Sequence, residues 1–400
     1  MKIENLDMER EEFKSHLQSA ILPFWLDRMR DPAGGWWGRM DGNGMLHPDS
    51  PRGCILNARI LWTLSSAYRV CGKEECLSAA AQAYRYVSEH FMDRQYGGCL
   101  WSVDAAGRPL DTKKQFYAIA FVIYALAEYY RATGEKSALQ EAVELFRCIR
   151  DHSFDPTLGG YLEACTRSWQ PIEDMRLSDK DRNDAKTMNT HLHILEGFTG
   201  LYRVWKDESL REALADLVNV FLERIVQPDG HLGLFFDENW VLQGHMVSYG
   251  HDIEASWLLD EAAAVLGDEA LAARVREVTR RIADASLEGL QPDGSLIYEF
   301  DPQTGVKDSQ RHWWVQAESL VGCVNRWQDT GDAQWLERAA HSWDFIKKHI
   351  VCPDGEWYWG ALEDGRGGFV PNTQDDRAGF WKCPYHNGRM CMEMIERLQY

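Results

Sequence analysis

One short turn returns six times along this chain. Its first three copies read Asp31-Pro-Ala-Gly-Gly-Trp-Trp, Asp93-Arg-Gln-Tyr-Gly-Gly and Asp155-Pro-Thr-Leu-Gly-Gly-Tyr. The last three read Gln227-Pro-Asp-Gly-His, Gln291-Pro-Asp-Gly-Ser and Cys352-Pro-Asp-Gly-Glu. Their final glycines, at 35, 98, 160, 230, 294 and 355, are spaced by 63, 62, 70, 64 and 61 residues. Each cluster is a turn signal, because Gly supplies positive φ and Pro fixes its own φ. A regular period means one structural unit copied along the chain. Short alternating runs after the turns, such as Leu232–Phe236 and Ser295–Phe300, read as small β-hairpins.

Two helical segments lie between successive turns. Ile55–Val70 precedes Glu75–His90, Phe116–Thr133 precedes Ser137–Arg150, and Lys186–Trp205 precedes Leu210–Ile225. His251–Leu266 then precedes Leu271–Ala285, and Trp313–Thr330 precedes Ala333–Ile350. Gly134, Gly267 and Gly331 suit helix C-caps, and the acidic residues after them suit N-caps. The first helix of each pair is apolar on most faces, as in Ile119–Ala127, and is expected inside; the second is richer in charge and faces water. The chain starts on an unpaired helix, Leu6–Met29, and ends on another, Tyr385–Leu398. Together these complete a sixth pair and favour a closed ring over an open solenoid. The expected fold is all-α, an (α/α)6 barrel with short β-hairpins in the loops at one end. Its 400 residues form a single domain, 1–400, although length alone would suggest two or three.

The formal net charge of −19 and scattered basic residues argue against nucleic acid or an anionic membrane as a partner. The first ten residues show no apolar signal core, and Tyr117–Ala127 is too short to span a bilayer. Ten Cys without CxxC spacing read as reduced thiols in a cytoplasmic protein. The chain also carries 17 Trp. They cannot all line one cleft, so some, such as Trp36 and Trp37, belong to turns and core.

In a closed barrel every inner helix starts at the same rim. These starts carry Arg59; Tyr117 with Phe121; Asn189 with His193; His251 with Glu254; Trp314 with Glu318; and His386 with Arg389. The pairs are spaced i,i+3 or i,i+4, so each lies on one helix face. His191 stands two residues from His193 and cannot share its inward direction. Six helices thus aim polar and aromatic groups into one mouth, the default place for a ligand. Singly, each His reads as a hydrogen-bonded core residue; three at equivalent rim positions read as a site. A metal held by His and Glu, and a glycosidase pair of Glu254 and Glu318, are the competing chemistries. No Ser-His-Asp pattern, nucleophilic Cys signature or phosphate-binding loop is present. Two loops, 172–184 and 364–380, are candidates to cap the mouth.

Several segments resemble the N-acylglucosamine 2-epimerase superfamily, and within it the cellobiose 2-epimerase branch. They are Leu56-Asn-Ala-Arg-Ile-Leu-Trp, Thr187-Met-Asn-Thr-His-Leu-His, Ser248-Tyr-Gly-His-Asp-Ile-Glu-Ala, Arg311-His-Trp-Trp-Val-Gln-Ala-Glu and Lys382-Cys-Pro-Tyr-His-Asn-Gly-Arg-Met. The likeness runs from about Pro23 to Arg397, and Pro-Tyr-His-Asn-Gly-Arg favours the disaccharide branch. The resemblance implies the same barrel, with no metal or nucleotide cofactor. It implies that His251 and His386 are the acid/base pair and that His193, Arg59 and Glu254 support them. Tyr117, Asn189, Trp314 and Trp381 then correspond to sugar-contacting positions; Phe121 and Glu318 are further rim candidates for the substrate. The family often has Gln in Tyr-x-Gln-x-Phe, where this chain has Ile119, so a polar contact to the substrate is expected to be missing.

The implied reaction is 2-epimerisation of the reducing-end glucose of a β-1,4-linked disaccharide: cellobiose to glucosyl-mannose, or lactose to epilactose. Ring opening exposes the aldehyde, a base removes the C2 proton to give an enediolate, and a second acid returns a proton on the other face. Imidazole suits both transfers near neutral pH. Mannobiose epimerisation, aldose–ketose isomerisation, glycoside hydrolysis and non-catalytic sugar binding are the alternatives. The expected partner is a small-molecule disaccharide, with the protein a monomer or weak homodimer.

Overall fold

The computed structural model describes Met1 and residues 6–399, so residues 2–5 of the N-terminal stretch and Tyr400 lie outside the described residues. Six inner helices form the wall of the barrel: α2 (Cys54–Cys71), α4 (Phe116–Thr133), α6 (Met188–Val204), α8 (Tyr249–Leu266), α10 (Trp313–Thr330) and α12 (Tyr385–Arg397). Each packs on the next, and α12 packs back on α2, which closes the ring. The outer layer is α3 (Glu74–His90), α5 (Lys136–His152), α7 (Glu208–Val220), α9 (Glu269–Ser286) and α11 (Ala333–His349). The N-terminal α1 (Leu6–His16) supplies the sixth outer helix and packs on α12. It continues through π turns at Leu17–Ile21 and Phe24–Arg28 rather than as one regular helix.

Hydrophobic pattern accounts for the two layers. Helix α4 buries every residue from Phe116 to Ile123, as an element enclosed on all sides must. Helix α5 buries a stripe of Ala138, Ala142, Leu145, Phe146 and Ile149, which leaves its other face to water. Gly134, Gly267 and Gly331 end inner helices with φ of 73°, 72° and 73°, a left-handed cap closed to most side chains. Asp268 and Asp332 then cap the next helices, accepting from the backbone N–H of Leu271 and Gln334.

All six turns recur in three dimensions. Each is closed by a single antiparallel bridge: Arg30–Trp36, Met92–Cys99, Phe154–Tyr161, Val226–Leu232, Leu290–Leu296 and Val351–Trp357. At Gly35 the φ is +71° and a Cβ would stand 2.7 Å from the Tyr86 ring, so the turn requires Gly. The expected hairpin at Leu232–Phe236 forms at its end, where Phe236 bridges Leu242 and Gln243 N donates to Phe235 O at 2.8 Å. Phe235–Phe236 also pairs with Lys186–Thr187, at the entrance of the preceding inner helix. Arg52–Gly53 pairs in the same way with Ser102–Val103, Lys114–Gln115 with Ala164–Cys165, and Arg311–His312 with Gly360–Ala361. Two-residue strands cannot hold a hairpin alone, so they stitch one repeat to the next. Within Ser295–Phe300, Glu299 and Phe300 do join a hairpin, with Lys307 and Asp308. The expected helix start at Lys186 is corrected by this stitching: Lys186–Thr187 is strand, and α6 begins at Met188.

Buried ionic pairs anchor these entrances. Arg52 binds Asp31, Lys114 binds Asp93 at 2.7 Å, Lys186 binds Asp155 at 2.8 Å and Lys382 binds Glu356 at 3.0 Å. In the fifth repeat Arg311 Nε donates to Ser295 Oγ at 2.9 Å. The fourth repeat reverses the polarity, with His231 on the turn and Asp252 on the inner helix, 2.7 Å apart. Together these pairs form a girdle beneath the turns. Among the described residues, no helix is long and apolar enough to cross a membrane.

Candidate active site

In a helix each Cα–Cβ bond leans toward the N-terminus, so residues in the first turns of the inner helices aim at the mouth. There they enclose a cavity of about 670 Å³, inside the range of roughly 300–1,000 Å³ usual for small-molecule sites. Arg59, Tyr117, Asn189 and His193 line one side of it. His251, Glu254, Trp314, Trp381 and His386 line the rest. The loop 172–184 lies over this cavity and contributes Met175 to Arg182, while Asp375 enters from the loop 364–380.

Three expected rim residues, Phe121, Glu318 and Arg389, do not reach the cavity. Phe121 and Glu318 sit one layer deeper. Phe121 packs on the Arg59 guanidinium at 4.1 Å and on the His193 ring at 4.7 Å. Glu318 is fully buried, accepting from Trp257 Nε1 at 3.1 Å and from His386 Nδ1 at 2.7 Å.

Arg389 joins the helices at this depth. Its guanidinium binds Glu196 of α6, and its Nη2 donates to Glu254 Oε1 of α8 and to Glu318 Oε1 of α10, both at 2.7 Å. Glu196 also accepts from the Tyr385 hydroxyl, and its Oε2 accepts from His193 Nδ1 at 3.0 Å. Glu196 escaped the sequence reading, although His193–Glu196 repeats the i,i+3 spacing of His251–Glu254. Burial pushes Glu196 upward, but Arg389 and His193 outweigh it and hold it below the usual carboxylate range. Burial, with Glu318 beside it, pushes Glu254 up to about 8. Glu254, Glu318 and His386 offer donor atoms within 4.8 Å of one another, the one set among the described residues that could hold a metal ion. Arg389 already brings a cation to both carboxylates.

The three rim histidines differ at Nδ1. His386 donates to Glu318 and His193 to Glu196. His251 has no carboxylate there; its Nδ1 meets Ser248 Oγ at 2.8 Å. Glu254 therefore does not orient His251, as the shared helix face suggested, because its bond goes to Arg389. Burial, with the His193 imidazole nearby as a lesser cause, lowers His251 to about 3. Burial and the Arg59 and Arg389 guanidinia hold His386 well below its ordinary value. Both imidazoles are neutral at pH 7, and both flank the Trp314 ring, at 4.6 Å and 5.8 Å between centroids. Arg59 Nη2 donates to the Tyr117 hydroxyl at 2.8 Å and Nη1 to the Trp381 carbonyl at 3.4 Å. Burial works against the Arg59 charge, yet Tyr117, Cys383 and other neighbours raise its pKa.

Two further cavity residues come from the loops. Glu163 accepts from Thr187 N and Thr190 Oγ1, and burial lifts it to about 8. His312 packs its ring 4.0 Å from Tyr298, and burial lowers it to about 3. His312 stands in a quoted motif; Glu163 carries no sequence signal, because the mouth forms only when distant repeats meet.

His191 faces outward as expected: its Nε2 accepts from Tyr161 N at 2.9 Å and its Nδ1 donates to Thr187 O at 2.6 Å. Asp252 and Gln316 hold the same place on α8 and α10, accepting from Leu232 N and Leu296 N at 2.9 Å. Ile119 is the equivalent residue of α4. It lies fully buried beneath the turn at Gly98 and outside the cavity. The expected loss of a substrate contact at Ile119 is therefore corrected: this position braces a turn.

A family model described as N-acylglucosamine 2-epimerase (GlcNAc 2-epimerase) matches residues 35–376. A cellobiose 2-epimerase from Bacteroides fragilis is 52% identical over 96% of this chain and 98% of that protein. A second, from Ruminococcus albus, is 40% identical over 96% and 98%. The solved cellobiose 2-epimerase of Bacillus thermoamylovorans B4167 superposes with a TM-score of 0.92 at 40% identity, covering 98% of this chain and all of that one. Barrel, mouth and sequence agree, and this chain belongs to the N-acylglucosamine 2-epimerase family.

Proposed function

We propose that this chain epimerises the reducing-end glucose of a β-1,4-linked disaccharide at C2, as the names of its relatives suggest for them. The observation that carries the reading is the placing of His251 and His386. They come from different helices, line one cavity, flank one indole and are neutral at pH 7. A group must be unprotonated to take a proton, and both imidazoles meet that condition.

His386 donates a hydrogen bond from Nδ1–H to Glu318, which leaves the Nε2 lone pair to act. In this reading one histidine takes the C2 proton of the open-chain aldose, and the C–H electrons pass into the enediolate. The other, first protonated from solvent, returns that proton to the opposite face and inverts C2, and the first releases the C2 proton to solvent. Arg59 and Tyr117 supply a cation and a hydroxyl for the developing oxyanion. Trp314 and Trp381 offer flat faces to the apolar C–H surfaces of the sugars. Hydrolysis by Glu254 and Glu318 is disfavoured, because such carboxylates must flank the bond they cut and Glu318 does not reach the cavity. The same reading takes residues 1–400 as one catalytic domain in a reducing, cytoplasmic setting. Its supports are the closed ring and ten free thiols.

The test is NMR of cellobiose with the enzyme in D2O. Glucosyl-mannose bearing deuterium at C2 supports the proposal. Glucose would replace it with hydrolysis, a ketose with isomerisation, and unchanged cellobiose would sink it.

A further inference from the structure

Ser248 stands at the N-cap of α8, a position whose usual duty is to accept a backbone N–H of the first turn. Its counterpart on α6 does this: Thr187 Oγ1 accepts from Thr190 N at 3.1 Å. The Ser248 hydroxyl makes no such bond. It is 1% exposed and turned instead to His251 Nδ1, 2.8 Å away. Helix α8 thus forgoes a side-chain cap in order to hold an imidazole.

The consequence follows from the chemistry of the two kinds of partner. A carboxylate accepts only, so His386 facing Glu318 must carry its proton on Nδ1. A hydroxyl both donates and accepts. Facing Ser248, His251 can keep its proton on Nδ1 and offer the Nε2 lone pair, or hold it on Nε2 while the hydroxyl donates to Nδ1. We infer that Ser248 is a positioning residue for this reaction, aiming His251 at the sugar and leaving its tautomer free to change while Glu318 holds His386 in one form. The inference rests on the proposed epimerisation only for its effect on turnover; the bond itself can be read apart from it.

The test uses full-length Ser248→Ala and Ser248→Thr with ring ¹⁵N-labelled histidine. The alanine variant should lose about 10–100-fold in kcat with KM little changed, and its thermal midpoint should stay near that of the parent. The threonine variant, whose residue type already caps α6, should recover most of the rate. The His251 ring signals of the parent should show a mixture of tautomers and those of His386 a single Nδ1–H form. Wild-type kcat in the alanine variant, its failure to fold, a threonine variant as slow as alanine, or a single His251 tautomer in the parent would each overturn the inference. If the parent itself does not exchange C2 with solvent, the epimerase reading falls, and the ¹⁵N signals of parent and alanine variant still decide whether Ser248 governs the His251 tautomer.

Discussion

Two sets of buried polar residues share the starts of the same six helices, and they are built to different standards. The girdle beneath the turns is nearly saturated: among its members Arg52 Nε alone is a buried side-chain atom with no protein partner. The network at the mouth leaves Arg59 Nε, Asn189 Oδ1, Glu254 Oε2 and Arg389 Nε without a protein partner. Buried polar atoms are nearly always satisfied, so a local concentration of exceptions marks a place kept for chemistry rather than for stability. The girdle fixes where each helix begins; the mouth uses the positions so fixed.

The sharpest division would come from the histidines. His251→Ala and His386→Ala should each lower C2 deuterium exchange by about 10³-fold, with a thermal midpoint within about 3 °C of the parent. Exchange surviving in either variant would break the two-histidine reading and the contrast with it.

Next in size stands Lys382→Met, on the girdle. Lys382 and Glu356 are both wholly buried, and Glu356 also accepts from Trp25 Nε1 and Asn387 Nδ2. Removing the cation strands a charge out of water, at a cost of about 3–5 kcal/mol. Urea unfolding should record that loss, while the folded fraction keeps its rate within about threefold. A rate that collapses with no change in stability would place Lys382 at the mouth instead.

Much of this division could be read from the amino acids. The six turns, the glycine caps and the inner helices declare themselves locally, because φ preferences and apolar periodicity act over a few residues. The inward direction of His193, His251 and His386 follows from helical spacing. The bonds among them do not. Arg389 was visible only as a neighbour of His386 one turn on; its links to Glu196 and Glu254 exist because α12 closes against helices far away in sequence. The girdle was hidden for the same reason, since Arg52, Lys114 and Lys186 look like ordinary surface cations until a strand from the following repeat covers them.

A smaller effect is expected at the reversed girdle pair. Burial disfavours the charge on His231, but Asp252, with Glu288 and Asp229 nearby, outweighs it and raises the pKa to about 9. The Tyr249 ring packs against the same imidazole at 5.9 Å. Because the folded value lies above that of the unfolded chain, about 6.5, the pair stabilises fully below that pH and fades as pH climbs through 9. His231→Gln should cost about 1.5–3 kcal/mol near pH 6, and the gap to the parent should close by pH 10. A gap constant across that range would show that packing, not charge, holds the pair.

Ile119 offers the finest discrimination. It occupies the bracing position that His191, Asp252 and Gln316 hold on other inner helices, yet it presents no polar atom to its turn. If the position belongs to the girdle, Ile119→Gln adds an amide that must find a backbone partner at the Gly98 turn. Its gain of a hydrogen bond then offsets the loss of apolar burial, and stability shifts by about 1 kcal/mol or less. KM for cellobiose stays where it was, since no atom of residue 119 lines the cavity. A KM that falls severalfold with unchanged stability would move the residue to the mouth. It would also show that the brace and the substrate contact are not separate on α4, as they are on α6 and α8.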